Sequence, residues 1–164
     1  MPCSKILPLM LLFASATSAA AGPLADMAGD WRGAGWARET VAGPQETLRC
    51  QITNSYDAAA DTLTLSGQCV VPGRRLRISG ILSGSDGSER ITGSWANPDG
   101  MGSAPVVGLQ RDGLVAFNFN TVDPATGRRI AQNIELRMDQ NSLRLCATDR
   151  ETPDVMMSDI SFAR

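Results

Sequence analysis

The stretch from Arg49 to Val70 constrains the fold of this chain more than any other. Two runs of alternating polar and apolar residues flank Ala58-Ala59-Ala60-Asp61. Folding them about that loop so that Cys50 faces Cys69 pairs Ile52 with Gly67, Asn54 with Leu65 and Tyr56 with Leu63. The other face then reads Gln51, Thr53, Ser55 and Asp57 against Gln68, Ser66, Thr64 and Thr62. One face is mostly apolar and carries both sulfurs; the other is wholly polar. Strand side chains alternate between faces, so a one-residue slip would scatter this segregation. The pattern predicts an antiparallel sheet protein.

The rest of the chain continues in the same style. Gly22 to Ala28 reads as a lead-in of one helical turn. Gly29-Asp30-Trp31 opens the first strand, with Trp31, Gly33, Gly35 and Ala37 on one face and Arg32, Trp36 and Arg38 on the other. Turn signals follow at Ala42-Gly43-Pro44-Gln45, Pro72-Gly73, Gly84-Ser85-Asp86-Gly87, Asn97-Pro98-Asp99-Gly100, Arg111-Asp112-Gly113, Asp123-Pro124-Ala125-Thr126-Gly127, Asp139-Gln140-Asn141 and Thr152-Pro153-Asp154. A hairpin closed by residues 84–87 would set Gly80 opposite Ile91, Ile78 opposite Gly93 and Leu76 opposite Trp95. Val115, Phe117 and Phe119 share a face. Ile134, Leu136 and Met138 face Leu143, Leu145 and Ala147. The expected fold is all-β: an antiparallel up-and-down meander of about eight to ten strands closing into a small barrel. Closure would pair the first strand, near Trp31, with the last, near Phe162, and so hide both edges. A two-sheet sandwich is the alternative.

The first residues look like a targeting segment. Lys5 precedes an apolar run from Ile6 to Phe13, and small residues end in Ala19-Ala20-Ala21. This layout predicts a signal peptide over residues 1–21 and a single β-barrel domain over 22–164. The apolar run falls short of the roughly 20 residues of a membrane anchor. No second run of spanning length follows, so no stable membrane insertion is expected after cleavage. An exported, periplasmic or extracellular product meets oxidising conditions, which favour disulfides. Cys3 leaves with the leader. Cys50 and Cys69 sit on neighbouring strands and one face, and their bond would stabilise the fold by about 3 kcal/mol. The alternative is that Cys146 pairs with one of them. Cys146 lies between Leu145 and Ala147, on the face opposite the apolar set, and is read as a partly exposed free thiol.

Composition excludes several chemistries. The net charge of −2 gives no reason to expect nucleic acid as a partner. The chain has no histidine, which removes Ser-His-Asp and Cys-His nucleophiles and the usual zinc ligand sets. Lys5 is the only lysine, so Schiff-base chemistry is lost with the leader. The sequence thus points to no enzyme, no metal and no cofactor. Carboxylates are the remaining acid–base candidates. Asp86, Asp99, Asp112, Asp123, Asp139 and Asp154 lie in predicted turns, where aspartate caps backbone amides. Asp30 and Glu135 lie within strands and are the pair to examine. Arg74-Arg75 with Arg77, and Arg128-Arg129, read as solvated faces or as receivers of an anionic partner. Met101, Met138, Met156 and Met157 fill core or line an adaptable pocket.

The Gly29-Asp30-Trp31 opening, the meander and a closing last strand that ends in Arg164 resemble the lipocalin and calycin pattern. There G-x-W starts the first strand and a late arginine packs over the tryptophan. The resemblance implies that Trp31 plugs one barrel end, with Arg164 or Arg150 as its partner. The chain also resembles small periplasmic metalloprotease-inhibitor barrels, which place G-x-W near the start and one disulfide between early strands; Cys50 and Cys69 match that bond. Their inhibitory segment is an N-terminal arm, the position of Gly22 to Ala28 here. Over its whole length the chain looks like secreted β-barrel proteins of Gram-negative bacteria that have no known activity to transfer. The function expected is non-catalytic binding of a small apolar ligand in the periplasm. The alternative is a protein-binding module, such as an inhibitor of an exported enzyme, with one envelope protein as partner.

Overall fold

The computed structural model describes residues 22–85, 88–96 and 102–164. The expected leader, Met101 and the turns around Asp86 and Asp99 lie outside the described residues. One short helix, α1 (Pro23–Asp26), precedes ten strands: β1 (Gly29–Ala37), β2 (Glu46–Asp57), β3 (Thr62–Val71), β4 (Arg74–Ser85), β5 (Ser88–Ala96), β6 (Ser103–Arg111), β7 (Leu114–Val122), β8 (Arg129–Asp139), β9 (Ser142–Asp149) and β10 (Met156–Ala163). Each strand pairs antiparallel with the next, and β1 pairs with β10, so the meander closes into a barrel and not a sandwich. Gly33 lies opposite Phe162 at that junction.

The β2–β3 register is the one expected from facing the two cysteines. Cys50 faces Cys69, Ile52 faces Gly67, Asn54 faces Leu65 and Tyr56 faces Leu63. The β8–β9 register also follows the pattern, with Ile134, Leu136 and Met138 opposite Ala147, Leu145 and Leu143. At β6–β7, Asp112 and Gly113 both adopt positive φ (49° and 73°), the backbone that a two-residue hairpin with the native twist demands.

The β4–β5 hairpin departs from expectation by four residues. Gly80 faces Trp95, Leu82 faces Gly93 and Gly84 faces Ile91. The strand does not stop at Gly84, because its amide donates to the Asp61 carbonyl at 2.8 Å and extends the ladder with β3. An irregularity between Gly84 and Ser85 absorbs the offset. An even shift keeps every side chain on its face, so small residues still oppose large ones. The Trp95 ring lies over Gly80, where an added Cβ would come within 2.7 Å of it.

Inward residues are mostly apolar and outward ones mostly polar. Along β2, Leu48, Cys50, Ile52 and Asn54 are buried while Thr47, Arg49, Gln51 and Thr53 are exposed. The two barrel ends differ. At one end α1 folds across the opening, burying Leu24 and Met27 completely. Tight turns connect the strands there at 58–61, 112–113 and 140–141. At the other end the connections 38–45, 123–128 and 150–155 are longer, and long loops on a rigid scaffold are where binding groups usually sit.

Candidate ligand cavity

The closed end is held by one backbone carbonyl. Met27 O accepts from Trp31 Nε1 at 3.0 Å and from Asn54 Nδ2 at 2.9 Å, both buried. Leaving these donors unpaired in an apolar core would cost about 1–3 kcal/mol each, so they fix where α1 lies. Arg164 Nη2 donates to Asp26 O at 2.7 Å and to Ala28 O at 3.2 Å. Its guanidinium sits 4.4 Å from the centre of the Trp31 ring. Trp31 and Arg164 therefore meet at this end; Arg150 lies near the other, its amide bonded to Ala131 O.

Beyond the plug, the interior divides. Phe119 and Leu136 are fully buried, and the Trp95 and Phe117 rings pack at 5.2 Å between centres. Above them, toward the long loops, the core stops short of filling the barrel. A cavity of about 430 Å³ remains, walled by Leu76, Ile78, Trp95, Ile134, Leu145 and Ile160 among others. That volume is within the roughly 300–1,000 Å³ range of small-molecule sites. Cys69 is part of the wall, and its bond to Cys50 ties β2 to β3 beside the cavity. Of the polar residues in the wall, Ser158 is buried and Gln132 half-buried.

The rim carries charge. Arg38, Glu39, Glu46, Arg74, Asp123 and Arg128 surround the opening. Strand alternation splits the first basic cluster of the sequence. Arg74 shares the inward parity of Leu76 and Ile78, whereas Arg75 and Arg77 point out. Arg74 bridges Glu39 and Glu46, and these two carboxylates raise its affinity for its proton. Arg128 Nη1 donates to Glu39 O at 3.0 Å, tying loop 123–128 to loop 38–45 across the mouth. The Thr126 hydroxyl, backbone amides and the nearby Arg128 charge hold the Asp123 carboxyl below the usual carboxylate range.

The remaining sequence candidates lie on the outer wall. Asp30 accepts from Thr53 Oγ1 at 2.6 Å. Glu135 accepts from Arg137 at 2.9 Å. β9 and β10 separate their strands, so the two carboxylates are not brought together. Cys146 is a half-buried free thiol on the outer face, 3.7 Å from Asp159 Oδ1. Burial, and then the Asp159 charge, push its thiol above the ordinary range. Arg144 forks onto both Asp159 oxygens at 2.8 and 2.7 Å and holds that carboxyl low. Met157 is buried and lines the cavity, while Met138 packs against the core near the plug. The sequence did not single out Met27 or Arg38. Their roles arise from a backbone carbonyl and from a loop position, neither of which leaves a residue-type signal. No protein-family model and no curated protein sequence matches this chain, so its site stands on its own residues.

Proposed function

We propose that this protein is a non-catalytic binding barrel that takes one small apolar ligand through its open end. The observation that carries the reading is the contrast between a plugged, filled end and an apolar cavity of about 430 Å³ beneath a polar rim. A closed sheet with an inward apolar face supplies a rigid container, and removing the ligand's apolar surface from water drives binding. The outward face is mostly polar, with Val70, Ile81, Val107 and Val122 as exposed exceptions, the reverse of the pattern of a transmembrane barrel, in keeping with a carrier outside the bilayer. A disulfide of this kind persists in an oxidising compartment, consistent with an exported, periplasmic or extracellular protein whose leader is removed after Ala21.

The rival reading, an inhibitor of an exported enzyme, needs a free arm or an exposed apolar loop tip. Gly22 to Ala28 is committed to the plug through Leu24 and Met27. Val41 in loop 38–45 and Val122 at the start of the 123–128 connection remain as exposed apolar residues beside the mouth among the described residues.

Titration with the neutral fluorophore N-phenylnaphthylamine separates the two. The intact protein is expected to bind it with enhanced emission. Ala147→Phe, which places a ring in the cavity wall, is expected to abolish that binding and leave the fold intact by circular dichroism. Undiminished binding in Ala147→Phe would count against the cavity. Loss of a partner only in Val41→Asp would favour the inhibitor.

A further inference from the structure

We infer that the ligand is a compact, uncharged molecule with one amide edge, which Gln132 and Ser158 receive on one side of the cavity while its apolar body lies against the other. This rests on the binding-barrel reading above and adds the ligand's charge and its polar group.

Charge is balanced at the mouth, where three arginines face three carboxylates. Arg74 is bridged by Glu39 and Glu46, and Arg128 stands near Asp123. Beneath the rim no residue of the wall is charged. An ionised group carried down there would leave water and find no counter-charge, which is costly. The wall is nevertheless uneven. In the ring of ten strands, β3–β5 stand across from β8–β10. The β3–β5 side presents Cys69, Val71, Leu76, Ile78 and the Trp95 ring. The β8–β10 side adds two polar side chains, Gln132 and Ser158, to its aliphatic ones.

Gln132 shares the inward parity of Ile130 and Ile134, and it stays half-exposed where they are buried because it stands in the cavity wall. On β10 one extra residue between Met156 and Ser158 shifts the register against β9. Such bulges re-aim side chains, and both Met157 and Ser158 border the cavity. Ile134, Ala147 and Ser158 stand in one row across β8, β9 and β10. The small Ala147 thus lies between the strands of Gln132 and Ser158 and leaves room above it. Among the described residues neither polar side chain has a hydrogen-bond partner. A carboxamide presents a donor and an acceptor side by side, and a hydroxyl serves as either. Together they match the N–H and C=O of an amide, which would otherwise lose its bonds to water without replacement. The polar side selects the ligand, and burial against the apolar side supplies the affinity.

Competition against N-phenylnaphthylamine with four bicyclic probes tests this: the lactam carbostyril, its N-methyl derivative, naphthalene and naphthoate. The wild type is expected to bind carbostyril about tenfold more tightly than the N-methyl lactam, which lacks the donor, and naphthoate the weakest of the four. Gln132→Leu is expected to erase the preference between the lactams while naphthalene binds at least as well as before. Ser158→Ala should reduce that preference by about threefold. Gln68→Leu, the same change on the outer wall, should bind all four as the wild type does. If Gln132→Leu fails to fold by circular dichroism, Ser158→Ala and the wild-type ranking carry the test. A wild type that binds both lactams equally or prefers naphthoate overturns the inference and leaves the apolar cavity standing. So does a Gln132→Leu that keeps the preference, or that weakens naphthalene as much as carbostyril. Failure of N-phenylnaphthylamine and all four probes to bind overturns both readings.

Discussion

The two ends of this barrel are built from the same strands and alternation, yet one is sealed and the other hollow. At the sealed end, Leu24, Met27, Trp31, Leu63, Leu82 and Leu136 interlock and are almost wholly buried. At the hollow end, Leu76 and Ile78 also point inward, but onto empty volume. The difference comes from a short segment that crosses one opening and has no counterpart at the other. A side chain bordering a void lacks neighbours on that side and forfeits their dispersion attraction. The hollow end is therefore the less stable half, and that is the cost of a place to put something.

The largest test of this contrast is Trp31→Ala. It removes a fully buried ring and the donor to Met27 O, and is expected to cost about 3–5 kcal/mol in denaturant unfolding. Leu76→Ala at the hollow end should cost about 2 kcal/mol, because its cavity merges with one already present. Equal losses would break the contrast. Removing the disulfide with Cys50→Ala and Cys69→Ala should cost about 3 kcal/mol. Its effect on amide hydrogen exchange should be uneven, with protection falling at the Leu48 and Val71 ends of β2 and β3 and persisting near Asn54 and Leu63.

Two glycines sharpen the comparison further. In Gly33→Ala the new Cβ would press on the Phe162 ring inside the filled half, and overpacking there should cost about 1–3 kcal/mol. In Gly80→Ala the Cβ meets the Trp95 ring instead. That ring borders the cavity and can yield into it, so the cost should stay below about 1 kcal/mol, with a measurable loss of cavity binding. The smallest effect belongs to neither end. Asp159→Asn removes a charge that raises the Cys146 thiol, so the thiol should titrate lower and alkylate faster at mildly alkaline pH, while stability shifts by no more than about 1 kcal/mol. An unchanged alkylation rate would show that burial alone protects the sulfur.

Much of the scaffold could be read from residues alone. Cys50 opposite Cys69 was the choice, among the registers that period-two alternation allows, that brings the two sulfurs together, and the facing rows of β8 and β9 followed from alternation and the short turn between them. The β4–β5 hairpin was less determined. Its alternation of small and large residues survives a shift of four, so the pattern permits both registers, and the ladder from Asp61 to Gly84 decides between them. The cavity was not legible, since a filled and a hollow barrel share the same inward alphabet. Arg74 and Arg75 look identical in sequence, yet one reaches the rim and the other solvent. Arg38 reads as an outward residue along β1 and becomes a rim residue only because the strand ends at Ala37.

The pairing of β1 with β10 has a consequence for biogenesis. Residues 32–37 find their partners in 158–163, at nearly opposite extremes of the described chain. Such distant pairings are slow to form because a long loop must close first. The cylinder is thus an open, sticky ribbon until its final segment arrives, and the same adjacency makes it a natural candidate for circular permutation, with new termini cut at Asp112-Gly113 and the old ones stitched across the seam.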